Sequence, residues 1–144
     1  MLRLLAVAAV APFVAACATS SVSLDEARPV PAARLLAYQA ASDSTAGHVV
    51  VTRDAGFLAG GCALGFYVDG KLAAAFKAGE TASFNLLAGE HVIGVGSPGD
   101  AGFCLMPSSE RREIEVLLTA GRTRYYRIAV RPGDGPSLEA TTHR

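Results

Sequence analysis

The spacing of apolar residues after position 48 constrains this chain more than any other feature. Apolar side chains recur at every second position in short runs, and glycine-bearing turns separate the runs. A period of two sends alternate side chains to opposite faces of an extended strand, whereas a helix repeats at 3.6. The runs are His48-Val-Val-Val-Thr-Arg53, Ala63-Leu-Gly-Phe-Tyr-Val68, Lys71-Leu-Ala-Ala-Ala-Phe-Lys77, Thr81-Ala-Ser-Phe-Asn-Leu86, His91-Val-Ile-Gly-Val95, Glu113-Ile-Glu-Val-Leu-Leu118 and Arg124-Tyr-Tyr-Arg-Ile-Ala-Val130. Leu64, Phe66 and Val68 share one face, as do Leu72, Ala74 and Phe76, then Ala82, Phe84 and Leu86, then Ile114, Val116 and Leu118. Asp69-Gly70 predicts a two-residue hairpin, since both residues tolerate the positive φ that such a turn requires. Ala78-Gly79, Ala88-Gly89-Glu90 and Ala120-Gly121 mark further turns, and Ser137-Leu-Glu-Ala-Thr141 adds a candidate edge strand. The pattern predicts an all-β domain over residues 48–144, an antiparallel β-sandwich of seven or eight strands.

The preceding segment reads differently. Residues 31–40 predict a short helix, because Pro31 suits a first turn and Leu35, Leu36 and Tyr38 offer a docking face. Ser20, Ser21 and Ser23 read as linker residues, stiffened by Pro29 and Pro31. Residues 17–47 are therefore expected to be a tether and short helix. Residues 1–16 have the make-up of a secretory signal: Arg3, an apolar stretch over 4–13 interrupted at Pro12, then Ala15 and Ala16. That stretch is too short for a helix across a bilayer, which needs about 20 residues.

Val14-Ala15-Ala16-Cys17 resembles the lipobox of bacterial lipoprotein precursors, over residues 1–21. The alternative is an ordinary signal peptide cut near Ala16 or Ala18. The resemblance implies cleavage before Cys17, palmitate-type acyl chains on its sulfur as diacylglycerol, and commonly a third chain on its amine. Several chains anchor stably where one binds marginally. Ala18, in place of an aspartate, implies sorting to the outer membrane, on its periplasmic side.

Removal of residues 1–16 from the 144-residue chain leaves roughly 130, the size of one domain. Thirteen basic side chains balance 13 acidic ones, so no long-range field gathers nucleic acid. With Cys17 lipidated, Cys62 and Cys104 remain in an oxidising compartment. They are expected to form a disulfide worth roughly 3–4 kcal/mol on the chain-entropy account. Two separate buried thiols are the alternative. No metal site or cofactor is expected from these thiols and the scattered His48, His91 and His143.

Tyr67-Val-Asp-Gly-Lys71, then Gly79, then Leu86 to His91 resemble the Y-V-D-G-K … G … L-x-x-G-x-H pattern of PEGA-type β-domains. Gly121 to Arg127, with Tyr125 and Tyr126, extend it towards small bacterial envelope lipoproteins. The match covers about residues 48–131 and departs from the family where Ala88 precedes Gly89. It implies a small binding or envelope-structural domain and carries no catalytic residues.

Other patterns in the chain have plainer readings. Gly65 to Lys71 fits the first seven places of a phosphate-binding loop, but Leu72 cannot ligate magnesium and the segment spans a hairpin. Gly-x-Ser-x-Gly is absent, which argues against a serine hydrolase. Glu113 and Glu115 alternate with core positions, as on a solvated face. Arg111, Arg112, Arg122, Arg124, Arg127 and Arg131 read either as a basic strip or as solvated side chains offset by Glu110, Glu113 and Glu115. The candidate binding loop joins residues 56–61 and 97–103, with Phe57, Leu58 and Phe103 as apolar anchors. The expected function is thus a non-catalytic, lipid-anchored binding or structural module with an envelope protein or glycan as partner. An inhibitor or immunity lipoprotein blocking a toxin or lysozyme is the rival, and a periplasmic hydrolase the remaining one.

Overall fold

The computed structural model describes residues 19–40, 43–56, 60–99 and 111–142. They form β1 (Arg28–Pro29), β2 (Ala46–Arg53), β3 (Leu64–Val68), β4 (Lys71–Phe76), β5 (Glu80–Leu87), β6 (Gly89–Gly96), β7 (Arg112–Leu118), β8 (Thr123–Arg131) and β9 (Gly135–Ala140). A five-stranded sheet, ordered β1-β5-β2-β8-β9, packs on a four-stranded sheet, ordered β4-β3-β6-β7. The β-sandwich expected from the alternation is therefore present, with nine strands rather than seven or eight. Its pairing is antiparallel except at β1–β5 and β2–β8, which run parallel.

The core fills the space between the sheets. Val49, Val51, Leu64, Phe66, Val68, Phe76, Phe84, Ile93, Val95 and Ile128 are fully buried, at every second position of their strands. Phe84 of one sheet meets Phe66 of the other at 4.8 Å between ring centroids, and Phe76 stands edge-on to Phe66 at 6.4 Å. Two inward expectations need correction. The β3–β4 register shifts at Phe66/Tyr67, so Leu72 pairs with Tyr67 on the outer face instead of joining Ala74 and Phe76. A bulge adds one residue and reverses the alternation beyond it. Ile114 lies on β7 at the sheet edge and remains 38% exposed. The Asp69-Gly70 hairpin forms as expected, with φ of 49° and 79°.

The expected tether and helix are replaced by a strap. Ser20 bridges Ala55, Arg28–Pro29 runs parallel beside Glu80–Thr81, and Leu35 bridges Ala74. Among its described residues, only Ala32–Arg34 is helical, as a single 3₁₀ turn. Val30 is buried, and Leu36 and Ala37 donate to the Ala73 carbonyl. The strap thus pairs with one sheet through β5 and with the other through β4, covering two edges that would otherwise stand open. Its ion pair is specific. Arg34 makes two bonds to the carboxylate of Glu80, at 2.7 and 2.6 Å, and a third to Ala75 O. Burial pushes the Glu80 carboxyl up, but Arg34 and the Lys77 amide outweigh it and hold it below its ordinary range.

Arg53 ends β2 pointing inward, and only 1% of it is exposed. Its Nη1 donates to Phe76 O at 2.7 Å and to Cys62 O. A cation from one sheet thereby ties off the start of β3 and the end of β4 in the other. Burial lowers its pKa to about 10, with Glu80 opposing the shift, so it is charged at neutral pH.

Candidate binding cleft

β6 lies against β3, which brings the Asp69-Gly70 turn over the start of β6. The Asp69 amide donates to Val92 O at 2.8 Å, and Asp69 Oδ1 accepts the Val92 amide at 2.9 Å. Asp69 Oδ2 meets His91 Nδ1 at 2.7 Å, and His91 Nε2 meets Leu87 O at 2.8 Å. Both ring nitrogens face acceptors, so only the imidazolium can donate to both. Burial lowers the His91 pKa, but the bonds to Asp69 and Leu87 O outweigh it and leave the pKa raised. Asp69 is desolvated too, yet His91 and the Val92 amide hold its carboxyl below the ordinary value.

Beside this clamp is an open cleft of about 330 Å³, lined by Asp69, Glu90, His91, Val92, Glu115, Val116 and Leu117. Val92 and Leu117 are 36% and 61% exposed, which is unusual for apolar side chains on paired strands. The lining holds three carboxylates against one imidazolium. It suits a ligand with a cationic group beside an apolar one. When protonated, His91 donates at both nitrogens, to Asp69 and to Leu87 O.

The clamp has a pH signature. The raised His91 pKa means its contribution is complete below the ordinary imidazole value of 6.5 and fades as pH rises through the folded value. The lowered Asp69 pKa means its contribution is complete above the ordinary 3.8 and fades as pH falls through the folded value. The clamp is therefore strongest between those two ordinary values. Asp69 is 47% exposed at its side chain, so solvent holds the gain to about 1 kcal/mol or less. Thermal melts of wild type and His91→Gln should differ most in mildly acidic buffer and converge in alkaline buffer. A constant difference across that range would contradict the clamp.

The other sequence candidates fall elsewhere. Cys17, Phe57, Leu58, Phe103, Cys104, Glu110 and His143 lie outside the described residues. Cys62 precedes β3 and is disulfide-bonded. His48 is on the outer face of the five-stranded sheet, with Nδ1 2.8 Å from Asn85 Oδ1. The arginines do not form one strip. Arg111 stacks on Tyr67, 3.8 Å from its ring centroid, and pairs with Glu113 at 3.2 Å. Arg127 pairs with Asp54 at 3.2 Å, and Arg131 pairs with Glu139. Arg122 and Arg124 line a second pocket with Thr119 and Thr123. Gly65 to Lys71 spans β3 and its hairpin, as expected for strand and turn.

Among the described residues, no group of three or more His, Cys, Asp or Glu side chains is placed to hold a metal ion. No described helix is long and apolar enough to cross a membrane. No family model, curated protein or solved structure matches this chain.

Proposed function

We propose that this chain is a lipid-anchored envelope protein, held by acyl chains on Cys17 at the periplasmic side of the outer membrane, whose sandwich binds a partner without catalysis. The observation that carries the binding reading is the cleft at the Asp69-Gly70 turn. There, exposed Val92 and Leu117 adjoin Asp69 of the turn and Glu90 and Glu115 of β6 and β7. A concave site that gathers two exposed apolar side chains with three carboxylates supports a binding role. The partner that fits is an envelope protein segment with lysine or arginine next to an apolar residue. An inhibitor that blocks a toxin or lysozyme would use the same cleft. The disulfide at Cys62 suits an oxidising compartment.

Two measurements test this reading. Cys17→Ala should move the protein from membranes to a soluble fraction or leave an unprocessed precursor. Wild-type protein without an acyl mass on its N-terminus would refute the anchoring. A photo-crosslinking residue at Leu117 in intact cells should capture one discrete partner, and Glu115→Lys should abolish the capture. Glu115 is exposed, so its replacement should change stability by no more than about 0.5 kcal/mol. Equal capture by the folded Glu115→Lys protein would remove the cleft from the function.

A further inference from the structure

The strap begins almost at the anchor. Thr19 is two residues beyond Cys17, and it is already docked on the sandwich. Its Oγ1 donates to Asp54 Oδ2 at 3.0 Å and accepts the Val130 amide at 3.0 Å. Ser20 and Ala55 then exchange backbone bonds of 2.8 and 2.9 Å. Asp54 is only 1% exposed, and its other oxygen is buried without a hydrogen-bond partner. Burial raises its pKa against the pull of Thr19 and Arg127, the reverse of a stabilised carboxylate. A buried carboxylate with one oxygen unsatisfied carries a stability cost. Here it holds Thr19, on the first described stretch of chain.

The position of this contact in the sandwich gives it direction. Asp54 and Ala55 follow the C-terminal end of β2, and Val130 is near the C-terminal end of β8. The turn between β8 and β9 is at the same end, because β9 runs back antiparallel to β8. The opposite end is marked by Gly47, where a side chain would meet Leu118 at the end of β7 and Thr119 just beyond it. There Gly121 N bonds Ala46 O. The cleft residues Glu115, Val116 and Leu117 lie in the half of β7 nearer that opposite end.

We propose that the sandwich is seated directly on the bilayer, with the Thr19–Asp54–Val130 end against the lipid surface and the cleft turned away from it. The proposal rests on the lipoprotein reading above. Two residues reach at most about 7 Å, so the acylated cysteine lies within that distance of a fixed point on the domain. A domain on a long tether samples all orientations, whereas one pinned this close presents a constant face. β2, the strand that runs from one end to the other, has eight residues. At about 3.3 Å per residue it separates the two ends by roughly 25 Å.

The test uses the full-length acylated protein in phosphatidylethanolamine–phosphatidylglycerol vesicles carrying a headgroup-labelled acceptor lipid. A fluorescent amino acid is placed either at Asp134, exposed in the β8–β9 turn, or at Ala120, exposed in the β7–β8 turn. Energy transfer should place Asp134 about 25 Å nearer the lipid surface than Ala120. A Gly-Ser linker inserted between Ala18 and Thr19 should erase that difference and leave the fold intact. Thr19→Val should narrow it. Acylated protein with equal transfer from both positions would overturn the seating while leaving the anchor in place. Protein with no acyl mass on Cys17 would overturn the anchor, and the seating with it.

Discussion

Arg53→Ala should be among the most destabilising single substitutions in this domain, at about 4 kcal/mol. Arg53 is charged, fully enclosed and bonded to the carbonyls of Phe76 and Cys62. Its loss leaves those carbonyls without their donor, at roughly 1–3 kcal/mol for each buried group, and opens a cavity besides. It also removes a positive charge near buried Glu80. The melting temperature should fall by roughly 15 °C. Arg53→Met separates the contributions, since it keeps most of the volume and none of the donors. If Arg53→Met were as stable as wild type, the cation would be filling space and nothing more.

Phe84→Ala should cost about 3–5 kcal/mol, the usual range for truncating a buried phenylalanine. The ring is fully buried, 4.8 Å from Phe66 and 6.3 Å from Phe76 between centroids. Phe84 comes from β5 and the other two from β3 and β4, so the cluster joins the two sheets. Leu87 on the same strand is 68% exposed, and Leu87→Ala should change stability by no more than about 0.5 kcal/mol. Denaturant unfolding of both variants checks the contrast. Similar losses for the two would mean that the rings do not couple the sheets.

The strands were legible in the sequence because period-two alternation is a local property. Val49 and Val51, or Phe84 and Leu86, announce a buried face without reference to any partner. The Asp69-Gly70 turn was legible for the same reason. Leu72 departs from its expected face because a bulge changes the count, and the apolar pattern does not mark where the extra residue sits. The strap was read as a tether because Pro and Ser residues look the same in a linker and along a sheet edge. Its docking uses backbone bonds and a few long-range pairs such as Thr19 with Asp54 and Arg34 with Glu80, which no local pattern encodes. Arg53 looked like an ordinary polar strand end, and only the arrival of β3 and β4 above it makes it internal.

The cleft shows the same division. The sequence marks Asp69 as a turn residue and His91 as the start of a strand. Their meeting depends on β6 pairing with β3, which is a matter of sheet order. Glu115 and Leu117 join them only because β7 pairs with β6. The parallel contact of β2 with β8 was equally out of reach, since strand order in a sandwich is set by global packing. The apolar loop anchors expected from the sequence lie outside the described residues, whereas exposed Leu87, Val92, Ile114 and Leu117 are on strands.

β7 leaves one border of its sheet without a paired strand among the described residues. Such a border invites the same border of a neighbouring copy. The sequence Arg112-Glu-Ile-Glu-Val-Leu-Leu118 answers that risk. Antiparallel self-pairing centred anywhere from Glu113 to Glu115 sets a carboxylate opposite a carboxylate, and like charges directly opposed disfavour the union. The glutamates that look like routine surface residues thus disfavour edge-to-edge self-pairing beside exposed Val92 and Leu117.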